Sequence, residues 1–413
     1  MNRFNPINPK KYLGSFTFML SFMFLSIVWT SIVSAQSYQL TVSAGEFDRQ
    51  ETVVSFEAPK GLAAGVYEMS GESGESMPLQ VDDSGRGWFI LKNLSPGNMK
   101  TFKFSAEPVA IEGKVQSRTD ENTITFLGDD QEVLSYYYRD NNPPAALDQR
   151  YKRGGYIHPV YSPNGVRLTN HLNTELHPHH LGIWSSWPKT EFQGRQPDFW
   201  NVHDNTGKVE ADSLYEAWQG PVQGGFRATH RFIDLTTDTP VVALREEWQV
   251  RVYPALHNGK FLMFDLMITQ SADAGQPLIL PEYRYGGVGF RGHADWDNPE
   301  NISFLTSKGL GREGHATKAR WVHIGGYSDG SLAGITFMDY PQNIRHPQPV
   351  RIHPDMAFFN YAPVQGGDLV IEPGTPYKVQ YRMVTYDGEP NPDELNQLWN
   401  DYAYPPKVTV ELK

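Results

Sequence analysis

The chain has 413 residues, 39% of them hydrophobic, which is enough to bury one large core or two ordinary ones. It contains no cysteine, which excludes disulfides, a disulfide-linked partner and a lipid anchor on cysteine. The formal charge of -11 repels nucleic acid and anionic lipid at long range, so we expect no nucleic-acid partner.

The first predicted element is an export signal. A long apolar run, YLGSFTFMLSFMFLSIVWTSIVSA, follows basic residues and ends in the small-x-small pattern Val33-Ser34-Ala35. This pattern predicts a secretory signal peptide over residues 1–35, with an uncleaved anchor as the alternative. A cysteine-free exported chain suits the periplasm or exterior of a Gram-negative bacterium. We therefore expect a periplasmic or secreted protein, with no integral membrane segment after signal cleavage.

Most of the remaining chain is predicted to be β-structure. Residues 36–125 contain short alternating segments such as YQLTVSAG and ETVVSFEAP, which predict a small N-terminal β-sandwich domain. Residues 126–150 are rich in Pro and Asn and predict a linker, and residues 151–413 predict a large β-sandwich catalytic domain. One short C-terminal helix is expected, because Asn391 can cap it and Pro392 suits its first turn. The expected fold class is all-β.

Three stretches look like catalytic motifs but lack the required context. GVGFRG and GLGREG match G-x-G-x-x-G, yet neither opens a helix within a strand–helix–strand unit, so no nucleotide cofactor is expected. GYSDG matches a nucleophile elbow, but it lies between two strand-like runs. We therefore predict that Ser328 lies in a hairpin turn.

The strongest functional signal is the histidine-rich stretch ELHPHHLG. In an extended segment, His177 and His179 would point to one face and His180 to the other, with Pro178 placing them at a sheet rim. Two imidazoles on one face can bind a divalent metal or a carboxylate, or one can act as a base that the other orients. The alternative is that these histidines bond backbone carbonyls. The spacing matches no established zinc signature, so His177 and His179 are only candidate metal ligands.

Two other polar clusters and the nearby aromatic residues complete the predicted site. YPQNIRHPQPVRIHPD contains Arg345, whose side chain suits a bidentate grip on a carboxylate. LPEYRYGGVGFRG combines Arg and Tyr with glycines that permit close ligand approach. A solvated loop and an ordinary strand with paired charges are the respective alternatives. Tryptophans near the histidines would form walls for sugar rings, although core packing is their commoner fate.

Several segments resemble a known family. HPHHLGIW, GGVGFRG, ARWVHIGG and GITFMDYPQNIRHPQPVRIHPDMAFFNYAP, in order over residues 150–390, resemble the secreted bacterial family labelled methane oxygenase PmoA-like. The label is a misnomer, because a methane monooxygenase subunit is an integral membrane protein. The resemblance implies a supersandwich-like β fold and a role in polysaccharide utilisation. It also implies dehydration at the non-reducing end of uronate oligosaccharides, such as those from ulvan.

The resemblance also implies functional positions. The family's positions carry over as His177, His179, His180, Asn343, Arg345 and His346. At Tyr285 the chain departs from the family, because many relatives have an acidic residue there. This departure puts in doubt whether all members share one reaction.

Together these features predict β-elimination at a uronic acid of an oligosaccharide substrate. The C5 proton is acidic enough only when the carboxylate is neutralised, so an Arg or a metal must face that group. We expect Arg345, together with Arg284, to hold the carboxylate. His179 or His346 would be the base, and Tyr285 or His180 the acid. A departing C4 hydroxyl gives a dehydratase, and a departing glycosidic oxygen gives a polysaccharide lyase; both give unsaturated uronates.

The expected catalytic residues are His177, His179, His180, Arg284, Tyr285, Arg345 and His346. The expected substrate-binding residues are Trp184, Trp187, Trp200, Glu282, Asn343, Arg351 and His353. Two alternatives remain open. One is a glycoside hydrolase that pairs Glu282 with Asp295 or Asp339, and the other is a non-catalytic glycan-binding protein.

Overall fold

Strands dominate residues 36–413, the part of the chain that the computed structural model describes. The predicted export signal over residues 1–35 lies outside these residues. In chain order the first strands are β1 (Ser37–Ser43), β2 (Arg49–Glu57), β3 (Gly65–Gly71), β4 (Ser76–Val81), β5 (Arg86–Leu94), β6 (Met99–Ser105), β7 (Val115–Thr119), β8 (Thr123–Gly128), β9 (Gln131–Tyr137), β10 (Tyr156–Val160), β11 (Ile183–Ser186) and β12 (Gly207–Trp218).

The later strands are β13 (Gly224–Asp234), β14 (Val241–Val252), β15 (Leu262–Ala272), β16 (Leu278–Leu280), β17 (Gly287–Arg291), β18 (Ser303–Thr306), β19 (Trp321–Ser328), β20 (Ser331–Asp339), β21 (Val350–Ile352), β22 (Phe358–Tyr361), β23 (Leu369–Ile371), β24 (Tyr377–Asp387) and β25 (Lys407–Leu412). Short 3-10 turns occupy Gln149–Tyr151, Ala294–Asp297, Pro299–Asn301, Arg312–Gly314 and Pro363–Gly366, and the α-helix α1 spans Pro392–Ala403. Among residues 36–413, none of these helices has the length and apolarity needed to cross a bilayer. The predicted all-β fold class with a short C-terminal helix is confirmed.

The N-terminal strands form a seven-stranded sheet whose order is β2-β5-β4-β3-β6-β1-β25. Alternation along β1 buries Tyr38, Leu40 and Val42, which pack with apolar residues of the neighbouring strands in one cluster. The edge strand β25 comes from the end of the chain and pairs antiparallel with β1. The small N-terminal sheet therefore includes a strand from outside the predicted boundaries of 36–125.

Two eight-stranded sheets form the larger sandwich. One has the order β21-β22-β17-β11-β10-β9-β8-β7, and the other has the order β12-β13-β14-β15-β24-β20-β19-β18. Their facing residues, among them Phe126, Trp248 and Phe290, form the largest buried apolar cluster. Each such side chain contributes roughly 1.5–3 kcal/mol when fully buried. Residues 126–150, predicted as a linker, contain β9 and the end of β8 in this sandwich.

Helix α1 begins as the sequence predicts. The Asn391 side chain accepts hydrogen bonds from the backbone N–H groups of Asp393 and Glu394, which satisfies donors that the helix leaves unpaired. The apolar face of α1 packs beside the buried Trp88 of the N-terminal sheet. A buried ion pair of 2.7 Å between Arg49 and Asp401 fixes β2 to the last turn of the helix.

The GYSDG stretch forms the hairpin that the sequence predicts, but Ser328 ends strand β19 and pairs with Ser331, so the turn itself is Asp329 and Gly330. GVGFRG lies on strand β17, and part of GLGREG forms a 3-10 turn. Neither glycine motif opens an α-helix.

Stability should fall in acid because His323 is buried without charge. Its Nδ1 lies 2.6 Å from the Tyr386 hydroxyl and its Nε2 3.1 Å from Ser303 Oγ. Burial lowers the pKa of His323 from 6.5 to about 3, so between these values the unfolded chain binds a proton that the folded chain does not. The free energy of unfolding should therefore decrease as pH falls below 6.5, by up to about 1.4 kcal/mol per pH unit from this group.

Urea unfolding across that pH range tests this expectation. The variant His323→Gln should show a shallower dependence of unfolding free energy on pH than the parent, whatever its absolute stability. Equal slopes for the two proteins would contradict the assignment of a neutral buried imidazole.

Candidate functional site

The candidate site lies on the outer face of one eight-stranded sheet. Ile183, Phe290 and Phe359 pair across β11, β17 and β22, and all three belong to the core between the sheets. Successive residues of a strand point to opposite faces, so Trp184 and Phe358, next to these positions, face outward. With Trp200 and Tyr156 they form an apolar cluster on the outer face of the sheet, and the candidate site lies on this cluster.

Three histidines of the ELHPHHLG stretch converge above this cluster. The structure differs from the predicted extended segment, because His177 has a left-handed φ of 49° and its carbonyl accepts from the His180 N–H at 2.9 Å. This turn brings His180 to the same side as the other two. One ring nitrogen from each of His177, His179 and His180 lies within 4.8 Å of the others. We call this group the three-histidine cluster.

The cluster is uncharged at neutral pH. Burial, followed by the neighbouring His177, lowers the pKa of His179 to about 3, and burial lowers the pKa of His180 well below its ordinary value. Burial also lowers the pKa of His177, which is the most open of the three to solvent. The Nδ1 atoms of His179 and His180 are buried and have no hydrogen-bond partner among residues 36–413. Unpaired buried polar atoms are rare in folded proteins, and either a ligand or a bound water would satisfy these two nitrogens.

Two guanidinium groups face the same cleft. Arg284 and Arg351 line it together with the three-histidine cluster, and within residues 36–413 neither forms an ion pair with a carboxylate. Arg291, by contrast, pairs through both Nη atoms with Asp297. Burial, and then the positive charge of Arg284, lower the pKa of Arg351. Arg351 Nη1 donates to the carbonyl of Ile352 at 3.2 Å, which supplies no opposite charge. Two like charges without an anionic partner favour an anionic ligand.

The cleft is small and has no acidic lining. Its walls are His177, His179, His180, Trp200, Asn201, Arg284, Tyr285, Arg351, His353 and Phe358. Its volume of about 80 Å³ is well below the roughly 300–1,000 Å³ of a pocket that encloses a drug-sized ligand. The cleft therefore accommodates one charged end of a ligand and leaves the rest of a longer molecule outside.

Tyr285 is held as a proton donor at the edge of the cleft. Its hydroxyl donates to Asn201 Oδ1 at 3.1 Å, and its ring meets Trp200 edge to face at 5.3 Å between centroids. Burial raises the pKa of Tyr285 to about 12, although the hydrogen bond with Asn201 acts in the opposite direction. The phenol is therefore protonated at neutral pH.

His353 also lines the cleft, with its ring centroid 6.0 Å from that of His177. Its Nδ1 accepts from the Asp355 backbone N–H at 3.2 Å, which leaves Nε2 as the nitrogen that carries the proton of the neutral ring. Burial, and then the positive charge of Arg351, lower the pKa of His353 to about 4.

The tryptophans predicted as sugar-binding walls lie mostly in the core. Trp184 is fully buried beneath His180, and Trp187 is buried with its Nε1 donating to Gln270 Oε1 at 2.9 Å. Only Trp200 lines the cleft, and it is 1% exposed. Large apolar rings such as those of Trp184 and Trp187 pack well in a core. Their closeness to the histidines in the sequence therefore does not place them in the site.

The N-x-R-H segment does not join the histidines, contrary to the roles predicted for it. Both Nη atoms of Arg345 donate to backbone carbonyls, those of Pro363, Gly367 and Asp368. His346 Nδ1 lies 2.8 Å from Asp339 Oδ2, and the buried Asn343 donates to Asp339 Oδ1 at 2.7 Å. These side chains stabilise a turn, and none of them lines the cleft.

The carboxylates proposed for hydrolysis do not meet in the cleft. Asp339 is fully buried and is engaged by Asn343 and His346, whereas the side chain of Glu282 is exposed and lies outside the lining. Asp295 lies beside His293 in a 3-10 turn. The paired-carboxylate arrangement is therefore not formed by these residues.

Sequence reasoning missed Asn201 and Phe358, which both line the cleft. It also missed His203, whose ring centroid lies 5.1 Å from that of His179. The histidine in WNVHDN was a usable signal, because it lies three residues after Trp200 among turn-forming residues. Phe358 carried none, because an apolar residue in a strand predicts only burial.

A family model described as "Family of unknown function (DUF6807)" matches residues 123–400. Among solved structures, "The crystal structure of an alpha-mannosidase from Enterococcus faecalis V583" is similar to this chain with 11% sequence identity and a TM-score of 0.34. The similarity covers 92% of this chain and 46% of that one, so this chain spans about half the length of the mannosidase. No curated protein matches the chain.

Proposed function

The chain belongs to the DUF6807 family, whose function is unknown, and we propose that it is an exported enzyme that performs β-elimination at uronic acid residues of oligosaccharides. The observation that carries this proposal is the pair of guanidiniums, Arg284 and Arg351, which face a cleft without carboxylates beside neutral imidazoles. This combination suits a ligand that brings its own negative charge and must lose a proton next to it.

The carboxylate is the first requirement of the reaction. When it lies against Arg351 and Arg284, its charge is neutralised, and the negative charge that develops at C5 can spread onto its oxygens. Arg351 is only partly exposed, so its interaction with an anion is screened by water less than at an open surface. Arg345, predicted from the sequence for this role, instead donates to the backbone carbonyls of Pro363 and Gly367.

Proton transfer is the second requirement. His177, the most exposed ring of the three-histidine cluster, takes the C5 proton, the electron pair of that C–H bond forms the C4=C5 double bond, and the C4–O bond breaks. The Tyr285 hydroxyl, which its raised pKa keeps protonated, donates a proton to the departing oxygen. A departing hydroxyl leaves as water and a departing glycosidic oxygen as a shortened sugar chain, and both reactions give an unsaturated uronate.

The shape of the site supports a sugar substrate that projects from the protein. A cleft of about 80 Å³ fits one acidic end, and the exposed side of Arg284 and Tyr283 next to it leaves room for further sugar units. The resemblance to PmoA-like proteins points the same way, toward uronate oligosaccharides of the ulvan type. Binding at a chain end favours dehydration of the terminal unit.

Ultraviolet absorbance of the unsaturated uronate provides the test. We expect mature protein to generate this absorbance from uronate oligosaccharides and not from their neutral, carboxyl-reduced counterparts. The variant Tyr285→Phe keeps the ring packing and removes the acid, so its kcat should fall by a factor of roughly 10²–10⁴. New reducing ends without unsaturation would instead identify a hydrolase, and ligand binding without either product would identify a binding protein.

A further inference from the structure

We propose that His177, His179 and His180 bind one divalent transition-metal ion. The inference goes beyond the elimination chemistry, because it rests on the geometry of three side chains and on no assumption about the substrate. Only its final step, the role of the ion in catalysis, rests on the proposed function.

The geometry is close to that of a bound ion. Ligands at Zn–N distances of 2.0–2.1 Å in a tetrahedral site lie roughly 3.4 Å apart. The ring nitrogens of the cluster lie within 4.8 Å of one another, so small rotations of the side chains bring them to this spacing. The turn at His177 fixes the backbone that makes this approach possible.

The burial and the donor set of the cluster also suit a metal. His179 and His180 are buried and His177 is half-buried, so the cluster would shield a bound ion from bulk water. The Nδ1 atoms of His179 and His180 have no hydrogen-bond partner among residues 36–413. Either ring nitrogen of a histidine can bind a metal, so each of these rings has a nitrogen available for an ion. Three imidazoles without a carboxylate select zinc or a similar ion over calcium or magnesium, which prefer oxygen ligands.

The positive charges around the cluster oppose the binding of a cation. Arg291 and Arg153 raise the local positive potential at the cluster, although Asp297 pairs with Arg291, and Arg284 and Arg351 add unpaired charge at the cleft. A dication held only by neutral ligands is opposed by these charges. An anion in the cleft offsets this repulsion, so we infer that the metal and a carboxylate ligand bind with positive coupling.

Three protein ligands leave a fourth position open for water or substrate. A bound ion lowers the pKa of such a water toward neutrality. In the proposed elimination, His177, His179 and His180 would hold the ion, and the water that it activates would supply the base in place of the His177 imidazole.

Titration with metal alone tests the site. Chelator-stripped mature protein should bind one equivalent of Zn²⁺ by calorimetry, and Co²⁺ should give the visible absorption of a nitrogen-ligated tetrahedral ion. His177→Ala and His179→Ala should each weaken binding by more than the roughly 100-fold lost with an outer-shell partner. His257→Ala, which removes a partly buried histidine outside the cluster, should leave the affinity unchanged. Because His177 is the most open of the three, its variant is the safer test of ligation in a folded protein.

Glucuronate, added to the same titrations, tests the coupling between carboxylate and metal separately from metal binding itself. Its presence should raise the affinity for Zn²⁺ by a factor of about 5–150, whereas neutral glucose should not. No stoichiometric binding, or equal binding by His177→Ala, would overturn the metal site. Binding without elimination would refute the proposed function and leave the site standing, and full elimination by chelator-stripped protein would refute the catalytic role of the ion.

Discussion

Replacing Arg351 with glutamine should lower kcat/KM for uronate oligosaccharides by roughly 100-fold, which corresponds to about 3 kcal/mol of lost transition-state stabilisation. The reason is that this guanidinium lines the cleft and has no carboxylate partner among residues 36–413, so its charge is available to a substrate. Glutamine keeps some length and polarity but supplies no charge. Steady-state rates of unsaturated product formation measure the change, and circular dichroism checks that the variant is folded.

Arg345→Gln provides the matched control, because the two arginines lie six positions apart and only Arg351 lines the cleft. Arg345 donates to the carbonyls of Pro363, Gly367 and Asp368, so its loss should leave those groups unpaired and reduce stability by about 1–3 kcal/mol. The folded variant should retain its activity at low temperature. The opposite pattern, with activity lost in Arg345→Gln and kept in Arg351→Gln, would return the carboxylate-binding role to Arg345.

Local patterns predicted the class of the fold but not its pairing. The period-two alternation in β1 and the cap at Asn391 are properties of neighbouring residues, and both appear in the structure as expected. The pairing of β25 with β1 joins residues at opposite ends of the described chain. No composition or spacing indicates such a partner. The predicted boundary at residue 125 therefore does not match the sheets, because β25 joins the N-terminal sheet and β8 crosses the boundary.

The structure brings together those candidate site residues that are adjacent in sequence. His177, His179 and His180 came together because one turn suffices to gather them, although the sequence did not reveal the left-handed conformation that forms it. The arginines were harder to assign. Arg345 and Arg351 are the same residue type in one stretch, and only the folded structure shows that Arg345 contacts three carbonyls whereas Arg351 lines the cleft.

The glycine that follows the histidines should be the most sensitive position near the site. Gly182 has a φ of 57°, which an L-residue adopts at a cost, and a methyl group there would overlap the carbonyl oxygen of Ile157 in β10. Because that oxygen belongs to a central strand, it has little freedom to move. Gly182→Ala should therefore lower the free energy of unfolding by at least about 3 kcal/mol, measured by urea denaturation.

Gly165→Ala separates backbone strain from this overlap. Gly165 also has a positive φ, 80°, but no atom lies within 4 Å of the position that its methyl would take. Its substitution should cost only about 1 kcal/mol, the penalty of the left-handed conformation. The excess loss in Gly182→Ala then measures how tightly β10 and β11 enclose the base of the histidine turn. Equal losses in the two variants would mean that the strands can separate there, and the three-histidine cluster would then lack the rigid support that a preorganised site requires.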